Sequence, residues 1–349
     1  MAKGHRKTAT LIGAGMVART HVAACADADA VRLKGIAGRG AHRAEALADE
    51  ATAMTGAPVA AYPDLGAVAR DAEVDFVIIA TPPDARMGII APLVQAGKHI
   101  LLEKPAGRTA DEARAVAAIC KNAGVALGVV FQHRMRAASQ KAAALIAGGS
   151  LGALGLVEVA VPWWRDQSYY DEPGRGTYAR DGGGVLISQA IHTLDLMLSL
   201  AGPVARVRAM AATTRFHRME AEDFVTAGLE FAGGAVGSLV ASTASFPGDA
   251  ESITLHFDRA SLHLASGQLR VAWRDGRVET FGEEAATGGG ADPMAFTHAW
   301  HQAVLEDFVA ALLQGRAPAA TGADAVAAQS LIDAMIRSAR SGAPEEVAA

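Results

Sequence analysis

The sequence predicts an α/β protein whose N-terminal part folds as a doubly wound parallel sheet and whose remainder forms a separate α+β domain of mostly antiparallel strands. Short apolar strands alternate with amphipathic helical segments up to about residue 132, and beyond that point strands follow one another in hairpin-like pairs. The length of 349 residues also exceeds what one hydrophobic core usually supports. We therefore expect two domains, over residues 1–131 and 132–349.

The first domain is predicted from repeated strand–helix units. Its strands cover residues 8–12, 33–37, 76–80, 100–102 and 126–131. Its helices cover residues 17–26, 43–52, 65–70, 89–96 and 111–122. Strands separated by helices of this length form right-handed βαβ crossovers, so we expect them to lie parallel in one sheet.

The second domain is predicted from a run of strands with turn signals between them. The strands cover residues 156–161, 204–211, 224–231, 235–242, 252–257, 261–265 and 268–272, and helices follow at 298–313 and 324–341. Turn signals such as Asp275-Gly276 are typical of hairpins. Three glycines at 288–290 indicate a surface loop.

Charge and composition exclude several classes of protein. The net charge is −5 and the sequence has no run of lysine or arginine, so a nucleic-acid footprint is not expected. No apolar run is long enough for a membrane span, and the first residues lack the apolar core of a secretory signal. The two cysteines, Cys25 and Cys120, are too few for a disulfide framework. We expect a cytoplasmic protein that binds neither nucleic acid nor membrane.

A glycine motif follows the first predicted strand and opens the first helix. Gly13, Gly15 and Ala18 match G-x-G-x-x-G/A, in which the first glycine permits a tight turn and the second lets the backbone approach a pyrophosphate. Met16 and Val17 begin the helix, whose N–H groups and positive dipole end favour an anion. The motif predicts a dinucleotide site, the alternative being a structural turn.

The end of the second strand bears on the choice between NAD and NADP. An acidic residue that binds the ribose hydroxyls of NAD commonly stands here, whereas this strand runs into Ala37, Gly38 and Arg39. A guanidinium can bind a 2′-phosphate through two hydrogen bonds, so Arg39 slightly favours NADP. The alternative is that Arg39 stacks on the adenine and that the protein accepts NAD.

Glu103-Lys104-Pro105 ends the predicted strand 100–102. Proline disfavours helical geometry for the residue before it, so Lys104 is expected in extended backbone. Ligands of open α/β sheets bind at the carboxyl ends of the strands. Lys104 is therefore a candidate catalytic residue, the alternative being that Glu103 and Lys104 form a solvated strand end.

A glycine run in the second domain precedes another polar cluster. The three glycines at 182–184 lead into a predicted helix in which Ser188, His192 and Asp195 are spaced at i, i+4 and i+7. That spacing places the three side chains on one helix face. One polar face next to a glycine run indicates a functional site that includes His192, the alternative being a structural histidine.

Together, the glycine motif, Glu-Lys-Pro and GGG-x-L-x(5)-H-x-x-D resemble the Gfo/Idh/MocA oxidoreductases, and the resemblance covers essentially the whole chain. It implies a Rossmann domain, a second domain with an open, mostly antiparallel sheet whose face often builds dimers or tetramers, and hydride transfer between a nicotinamide and a sugar or cyclitol carbon. By position, the resemblance implies that Lys104 hydrogen-bonds the reacting hydroxyl and that His192 is the acid/base. Thr81, Pro82, Glu103 and Lys104 would contact the cofactor.

The sequence departs from the family pattern at three positions. Ser188 stands where many members carry an Asp that orients the histidine, so the histidine is expected to act alone or with the lysine. Arg86 stands where many members have a His, and Gln132 replaces an Asn often found at the domain junction. These differences narrow the subfamily and leave both candidate catalytic residues in place.

An aromatic segment, residues 163–180, precedes the glycine run and is expected to border the substrate. Aromatic rings can pack on the apolar face of a sugar, and arginine can bind hydroxyls or an anionic group. The residues expected to bind substrate are Arg134, Trp164, Arg165, Tyr170, Ser188 and His192. The alternatives are an aromatic loop packed on a neighbouring subunit and, for Arg134, an ion pair between domains.

The leading hypothesis is an NAD(P)-dependent dehydrogenase or reductase of a sugar, sugar acid or cyclitol that forms a homodimer or homotetramer. A second hypothesis is a relative that uses tightly held NAD to cleave glycosides by oxidation, elimination and return of the hydride. A third is a cofactor-sensing regulator with the same fold and no turnover. No metal is expected, since His298 and His301 lack the spacing typical of metal ligands.

Overall fold

The computed structural model describes residues 6–285, 294 and 296–348, so the glycines predicted as a loop at 288–290 lie outside the described residues. The chain forms two compact units. The first comprises the chain up to Gly107, Asp111–Gln132 and His298–Val326, and the second comprises Arg108–Ala110, His133–Thr297 and the chain from Ala327 onward. The sequence assigned residues 298–326 to the second domain, whereas they pack in the first unit.

The first unit contains a six-stranded parallel sheet. Its strands are β1 Lys7–Ile12, β2 Val31–Ala37, β3 Ala60–Ala61, β4 Phe76–Ile79, β5 His99–Glu103 and β6 Leu127–Val130. Their order is β3-β2-β1-β4-β5-β6, and every pairing is parallel. The strand order reverses at β1, so the topological switch point lies between β1 and β4. The doubly wound parallel sheet predicted from the sequence is confirmed.

The described residues contain ten α-helices. They are α1 Ala18–Asp27, α2 Ala41–Thr55, α3 Leu65–Arg70, α4 Arg86–Gln95, α5 Ala110–Asn122, α6 Ala137–Ala147, α7 Gln167–Tyr170, α8 Ile191–Ala201, α9 Ala299–Gln314 and α10 Gly322–Ser341. Short 3₁₀ turns lie at Pro83–Ala85 and Gln132–Met135, and a π-turn lies at Leu186–Ala190. Across the described parts of the chain, no helix combines the length and the apolar character needed to cross a bilayer.

The composition of the strands explains the first sheet. All four residues of β4, FVII, are buried, as expected for a strand covered on both faces. Helix α9 supplies Phe308, whose ring centroid lies 5.5 Å from that of Phe76 in β4. A Cβ on Gly128 of β6 would lie 2.6 Å from the Phe308 ring, so glycine makes room for it. This packing explains why α9, although distant in the sequence, belongs to the first unit.

The second unit contains a nine-stranded open sheet. Its strands are β7 Leu154–Pro162, β8 Val204–Ala212, β9 Phe224–Phe231, β10 Val236–Ser242, β11 Ser252–Phe257, β12 Ala260–Ala265, β13 Gln268–Trp273, β14 Val278–Phe281 and β15 Glu345–Glu346. Their order is β14-β13-β12-β11-β7-β10-β9-β8-β15. Only β7 and β10 pair in parallel among these described strands, so the predicted open, mostly antiparallel sheet is confirmed.

The two faces of this second sheet differ. Along β7, Val157, Val159 and Val161 are buried on the face that α8 covers, and the residues between them point the other way. That other face carries exposed apolar side chains, which are Leu156, Met210, Val236 and Val240. The strand register places them on one surface, since Val236 pairs with Leu156 and Val240 with Ala160.

Candidate active site

The loop between β1 and α1 has the geometry of an anion-binding turn. Gly13 has a φ of +115°, and a Cβ there would lie 2.6 Å from the carbonyl oxygen of Ala80, so only glycine fits. A Cβ on Gly15 would meet no atom within 4 Å, which leaves the backbone open to a ligand. Ala18 is fully buried, and no side chain caps the helix at Val17. These residues fit the pyrophosphate of a dinucleotide.

The same edge of the first sheet carries the other predicted cofactor residues. Ile12 of β1 pairs with Ile79 of β4, which is level with Leu102 of β5. The glycine loop, residues 81–82 and Lys104 follow these three positions. Parallel strands lie ~4.8 Å apart, so Lys104 leaves the sheet about 10 Å from the strand that leads into the glycine loop.

The end of β2 lies beside the glycine loop, because the N–H of Gly13 donates to the carbonyl oxygen of Ala37 at 2.7 Å. Arg39 follows two residues later and is exposed, as is Met16 in the loop itself. A guanidinium at this place is accessible to the adenosine half of a dinucleotide.

Arg86, at the start of α4, ties the ends of β4 and β5 together. Its guanidinium donates to the carbonyl oxygens of Thr81 at 2.9 and 3.1 Å, of Glu103, and of Lys104 at 3.3 Å. Burial lowers the pKa of Arg86 to about 10, although the charge of Glu103 opposes the shift, so the group stays cationic near neutral pH. Arg86 therefore holds the carbonyl groups of the two peptide bonds on either side of Lys104, which are those of Glu103 and of Lys104 itself.

The carboxylate of Glu103 is buried between two histidines. Its Oε1 lies 2.8 Å from Nε2 of His21 and 3.5 Å from Nε2 of His301. Burial by itself raises the pKa of Glu103, but the hydrogen bonds from the two histidines outweigh it and hold the pKa well below its usual range. Glu103 is therefore not part of a solvated strand end. Lys104 is half-buried, and its peptide bond to Pro105 is cis.

These three side chains also offer ligand atoms that lie within 4.8 Å of one another. A His, a Glu and a second His are ligands that zinc accepts. The sequence spacing gave no sign of this group, because each member comes from a different segment: α1, β5 and α9. His298, which the sequence grouped with His301, instead bonds Asp27 at 2.8 Å.

His192 lies at the start of α8 in the second unit and is 6% exposed. The sequence predicted a regular helix through Ser188 and His192, but the π-turn Leu186–Ala190 interrupts it. The turn inserts an extra residue, so the i, i+4 spacing no longer places Ser188 and His192 on one helix face. The ring of His192 stacks on that of His133, with centroids 4.9 Å apart and planes tilted by 27°. Such turns occur frequently at functional sites.

Charged pairs anchor the segment that carries His133. Arg134 donates to both carboxylate oxygens of Asp195 in α8, at 2.6 and 2.7 Å. Arg136 donates to Oε1 of Glu251 at 2.6 Å, and Nε2 of His133 lies 3.8 Å from the same oxygen. The ion pair of Arg134 thus forms inside the second unit, whereas the alternative considered from the sequence was a pair between domains.

The glycine run 182–184 allows close backbone packing. A Cβ on Gly184 would lie 1.7 Å from the carbonyl oxygen of Glu222, and one on Gly182 would lie 2.4 Å from that of Arg108. The carboxylate of Glu222 accepts the N–H groups of Gly184 and Leu186, both at 3.2 Å. The glycine run therefore positions the start of the π-turn, and the π-turn leads directly into α8.

Trp164 lies in a partly exposed aromatic cluster. Its ring meets those of Phe246 and Phe216 edge to face, with centroids 5.4 and 6.4 Å away. Phe246 is 77% exposed and Phe216 is 53% exposed, so the cluster presents apolar rings to a ligand.

The side chains of Tyr170 and Arg165 are buried. The Tyr170 hydroxyl lies 2.6 Å from Oγ1 of Thr243, and burial raises the pKa of Tyr170. Arg165 is 2% exposed and donates to the carbonyl oxygen of Trp164 at 2.7 Å. Their substrate-binding roles, like that of half-buried Ser188, stay predictions.

Sequence reasoning missed the roles of several residues. His21 and His301 were not connected with Glu103, Arg86 was noted only as a departure, and Glu251 was not singled out. One signal was available: His21 lies in the helix that the glycine motif opens, and buried histidines in helices need partners. Nothing in the spacing identifies that partner.

Comparison with known proteins agrees with the geometry. Residues 7–131 match the model of the oxidoreductase family with an NAD-binding Rossmann fold. Residues 139–263 match that of the Gfo/Idh/MocA C-terminal domain.

Individual relatives span nearly the whole chain. It is 28% identical over 328 residues to the rhizopine catabolism protein MocA of Rhizobium meliloti, covering 93% of this chain and 92% of the relative. It is 27% identical over 340 residues to the inositol 2-dehydrogenase of Rhizobium meliloti (strain 1021), covering 94% and 95%. The WlbA dehydrogenase from Bordetella pertussis, solved in complex with NADH and UDP-GlcNAcA, has a TM-score of 0.81 at 27% identity and covers 99% and 100%. The chain belongs to the Gfo/Idh/MocA oxidoreductase family, and its first unit is an NAD-binding Rossmann fold.

Proposed function

We propose that this oxidoreductase transfers a hydride between a nicotinamide and the secondary alcohol or ketone of a sugar, sugar acid or cyclitol, with Lys104 and His192 as catalytic residues. The observation that carries the proposal is the position of Lys104, which follows β5 at the sheet edge that also bears the glycine loop. Relatives support the substrate class, since one is named an inositol 2-dehydrogenase and the WlbA structure holds NADH and UDP-GlcNAcA.

Oxidation of a secondary alcohol breaks one C–H bond and one O–H bond. The nicotinamide, when bound, supplies the acceptor of the hydride. Neutral His192 takes the hydroxyl proton, and the ammonium group of Lys104 donates a hydrogen bond to the same oxygen, where negative charge develops. In the reverse direction His192 returns the proton to the ketone oxygen while Lys104 polarises the carbonyl group.

The aromatic cluster of Trp164, Phe216 and Phe246 supports a sugar-like substrate. Exposed rings offer flat apolar surfaces, and a pyranose or cyclitol presents C–H groups on one face that can pack against them. Within this cluster, Trp164 is followed in the chain by Arg165. The guanidinium carbon of Arg165 lies 5.7 Å from the centroid of the Tyr169 ring. We therefore assign the apolar face of the substrate to this cluster.

The cofactor is NAD or NADP, with NADP slightly favoured. Arg39 supports this preference, because it is exposed beside the glycine loop and its guanidinium matches a 2′-phosphate. The alternative is that Arg39 stacks on the adenine and that NAD is the cofactor. Kinetics of Arg39→Ala with both cofactors distinguish the two.

The face of the second sheet opposite α8 supports a homodimer or homotetramer. Leu156, Met210, Val236 and Val240 form an exposed apolar surface there, and such surfaces commonly mark contacts between proteins. Light scattering of the wild type and of Val240→Glu tests this interface, and an unchanged mass contradicts it.

A cytoplasmic location fits the two cysteines, which are free and buried as expected in a reducing compartment. Cell fractionation would check this location.

The test of the function is a screen of NAD and NADP against aldoses, inositols and uronic acids, read by the absorbance of reduced nicotinamide. We expect turnover with at least one of them, and we expect Lys104→Ala to abolish it while the cofactor still binds. An unchanged kcat in that variant would remove the mechanism. Glycoside cleavage without net NADH would instead support the oxidation–elimination hypothesis, and cofactor binding without any turnover would support a regulator.

A further inference from the structure

Three segments that are far apart in the sequence meet at the carboxylate of Glu103. His21 comes from α1, Glu103 ends β5 and His301 comes from α9. Their side chains are 2%, 8% and 2% exposed, so the cluster is shut off from solvent. A buried carboxylate is stable only when it is hydrogen-bonded. The two imidazoles therefore stabilise the buried carboxylate of Glu103.

The cluster adjoins Lys104 along the chain, because Glu103 is the residue directly before it. Burial lowers the pKa of His301, and the hydrogen bond to Glu103 opposes the shift. Buried Arg86 supplies a positive charge that interacts with Glu103.

We propose that His21 and His301 are positioning residues for Lys104 and that they act through Glu103. By holding its carboxylate between them, they fix the end of β5 and therefore the backbone from which the lysine side chain projects. Arg86 completes the arrangement by holding the carbonyl oxygens of Glu103 and Lys104. The inference rests on the catalytic role proposed for Lys104.

Hydrogen bonding accounts for the cluster better than a bound cation does. The 2.8 Å between His21 and Glu103 is an ordinary hydrogen-bond length. A divalent cation between them would also be repelled by the guanidinium of Arg86, whose charge interacts with Glu103. The structure therefore assigns the three residues to positioning.

The first experiment is a double-mutant cycle on kcat with a substrate found in the screen. We expect His301→Leu to lower kcat by roughly 10- to 100-fold, since misplacing a reacting group by ~1 Å costs about 10²-fold, with the NAD dissociation constant unchanged. His301→Gln keeps an N–H donor near the position of Nε2 and should retain most of the activity. Val309→Ala, a buried truncation on the same helix, is the matched control and should lower stability without lowering kcat.

The cycle shows whether His301 acts through Glu103. In the Glu103→Gln background, His301→Leu should have little further effect, because the carboxylate that it serves is already gone. Additive losses, or full kcat in His301→Leu, would overturn the proposal. If His301→Leu does not fold, Glu103→Gln alone decides: its amide keeps the shape of the carboxylate, and a wild-type kcat in that variant would also overturn the proposal.

A second measurement does not depend on turnover, so it separates failure of this inference from failure of the proposed function. Reductive ¹³C-methylation of the holoenzyme gives NMR signals from lysines, and the Lys104→Arg variant identifies that of Lys104. His301→Leu should shift this signal, whereas His301→Gln and Val309→Ala should not. An unmoved signal in His301→Leu, or stoichiometric zinc that is present in the wild type and lost in that variant, would contradict the positioning role.

Discussion

The imidazole rings of His133 and His192 stack with their centroids 4.9 Å apart. Many family members orient the equivalent of His192 with an Asp, and this chain has Ser188 at that position. The stacked ring of His133 is a neighbour of His192 that the sequence did not predict. On its other side His133 lies 3.8 Å from Glu251, which Arg136 also binds. The stack therefore links His192 to a buried charged pair.

We expect His133→Phe to lower kcat roughly 10-fold, because phenylalanine keeps a flat ring against His192 but loses the imidazole that meets Glu251. Cofactor affinity and the melting temperature should stay close to those of the wild type. Steady-state kinetics and thermal melting check this, with exposed His263→Phe in the same unit as the matched control. Unchanged kcat would mean that the stack serves packing alone.

The glycine loop gives a prediction that separates folding from cofactor binding. Gly15→Ala should leave the melting temperature of the cofactor-free protein unchanged, because the added Cβ meets no protein atom within 4 Å. It should raise the NAD dissociation constant about 10-fold, a cost of ~1.4 kcal/mol, by blocking the approach of the pyrophosphate. Gly13→Ala should lower the melting temperature as well, since its Cβ would strike Ala80. Equal NAD affinity in Gly15→Ala would argue against a pyrophosphate at this loop.

Arg39 should decide the choice of cofactor. We expect Arg39→Ala to lower kcat/KM with NADP about 10-fold or more and to leave the value with NAD nearly unchanged, since hydrogen bonds to a charged group are worth ~1.5–3 kcal/mol. The exposed Arg70→Ala serves as the surface control. Kinetics with both cofactors give the result, and equal losses with NAD and NADP would favour adenine stacking instead.

The stability of the first unit should fall on acidification. Burial lowers the pKa of His99, the charge of Lys7 lowers it further, and Asp75 opposes them. In the fold Nδ1 of His99 accepts the N–H of Ala126 at 3.0 Å, so the folded state resists a proton that the unfolded chain takes up below its ordinary pKa of about 6.5. Stability is therefore highest above that value and decreases as the pH falls through it.

Thermal melting at several pH values checks this dependence. His99→Asn should flatten the slope, because its amide oxygen can accept the same N–H and does not titrate. A slope equal to that of the wild type would assign the pH dependence to other groups, such as His301, whose pKa burial also lowers.

The sequence determined the features that depend on neighbouring residues. Gly13 and Gly15 mark the nucleotide turn because a tight turn and a close ligand approach restrict which residues fit. Alternation of strands and helices specified the parallel sheet, and Pro105 marked the end of β5 and so the place of Lys104. These are local constraints on backbone geometry, and a single chain segment is enough to display them.

Only the tertiary structure decided which side chains meet. His21 and Glu103 are 82 residues apart and touch because α1 packs beside the first sheet, near the carboxyl end of β5. The same holds for Arg86, whose partners are backbone carbonyls that no side-chain pattern reveals, and for α9, which returns to the first unit through the packing of Phe308. Contacts of this kind are set by how the elements pack, and packing depends on shapes and volumes summed over the whole core rather than on any one stretch of sequence.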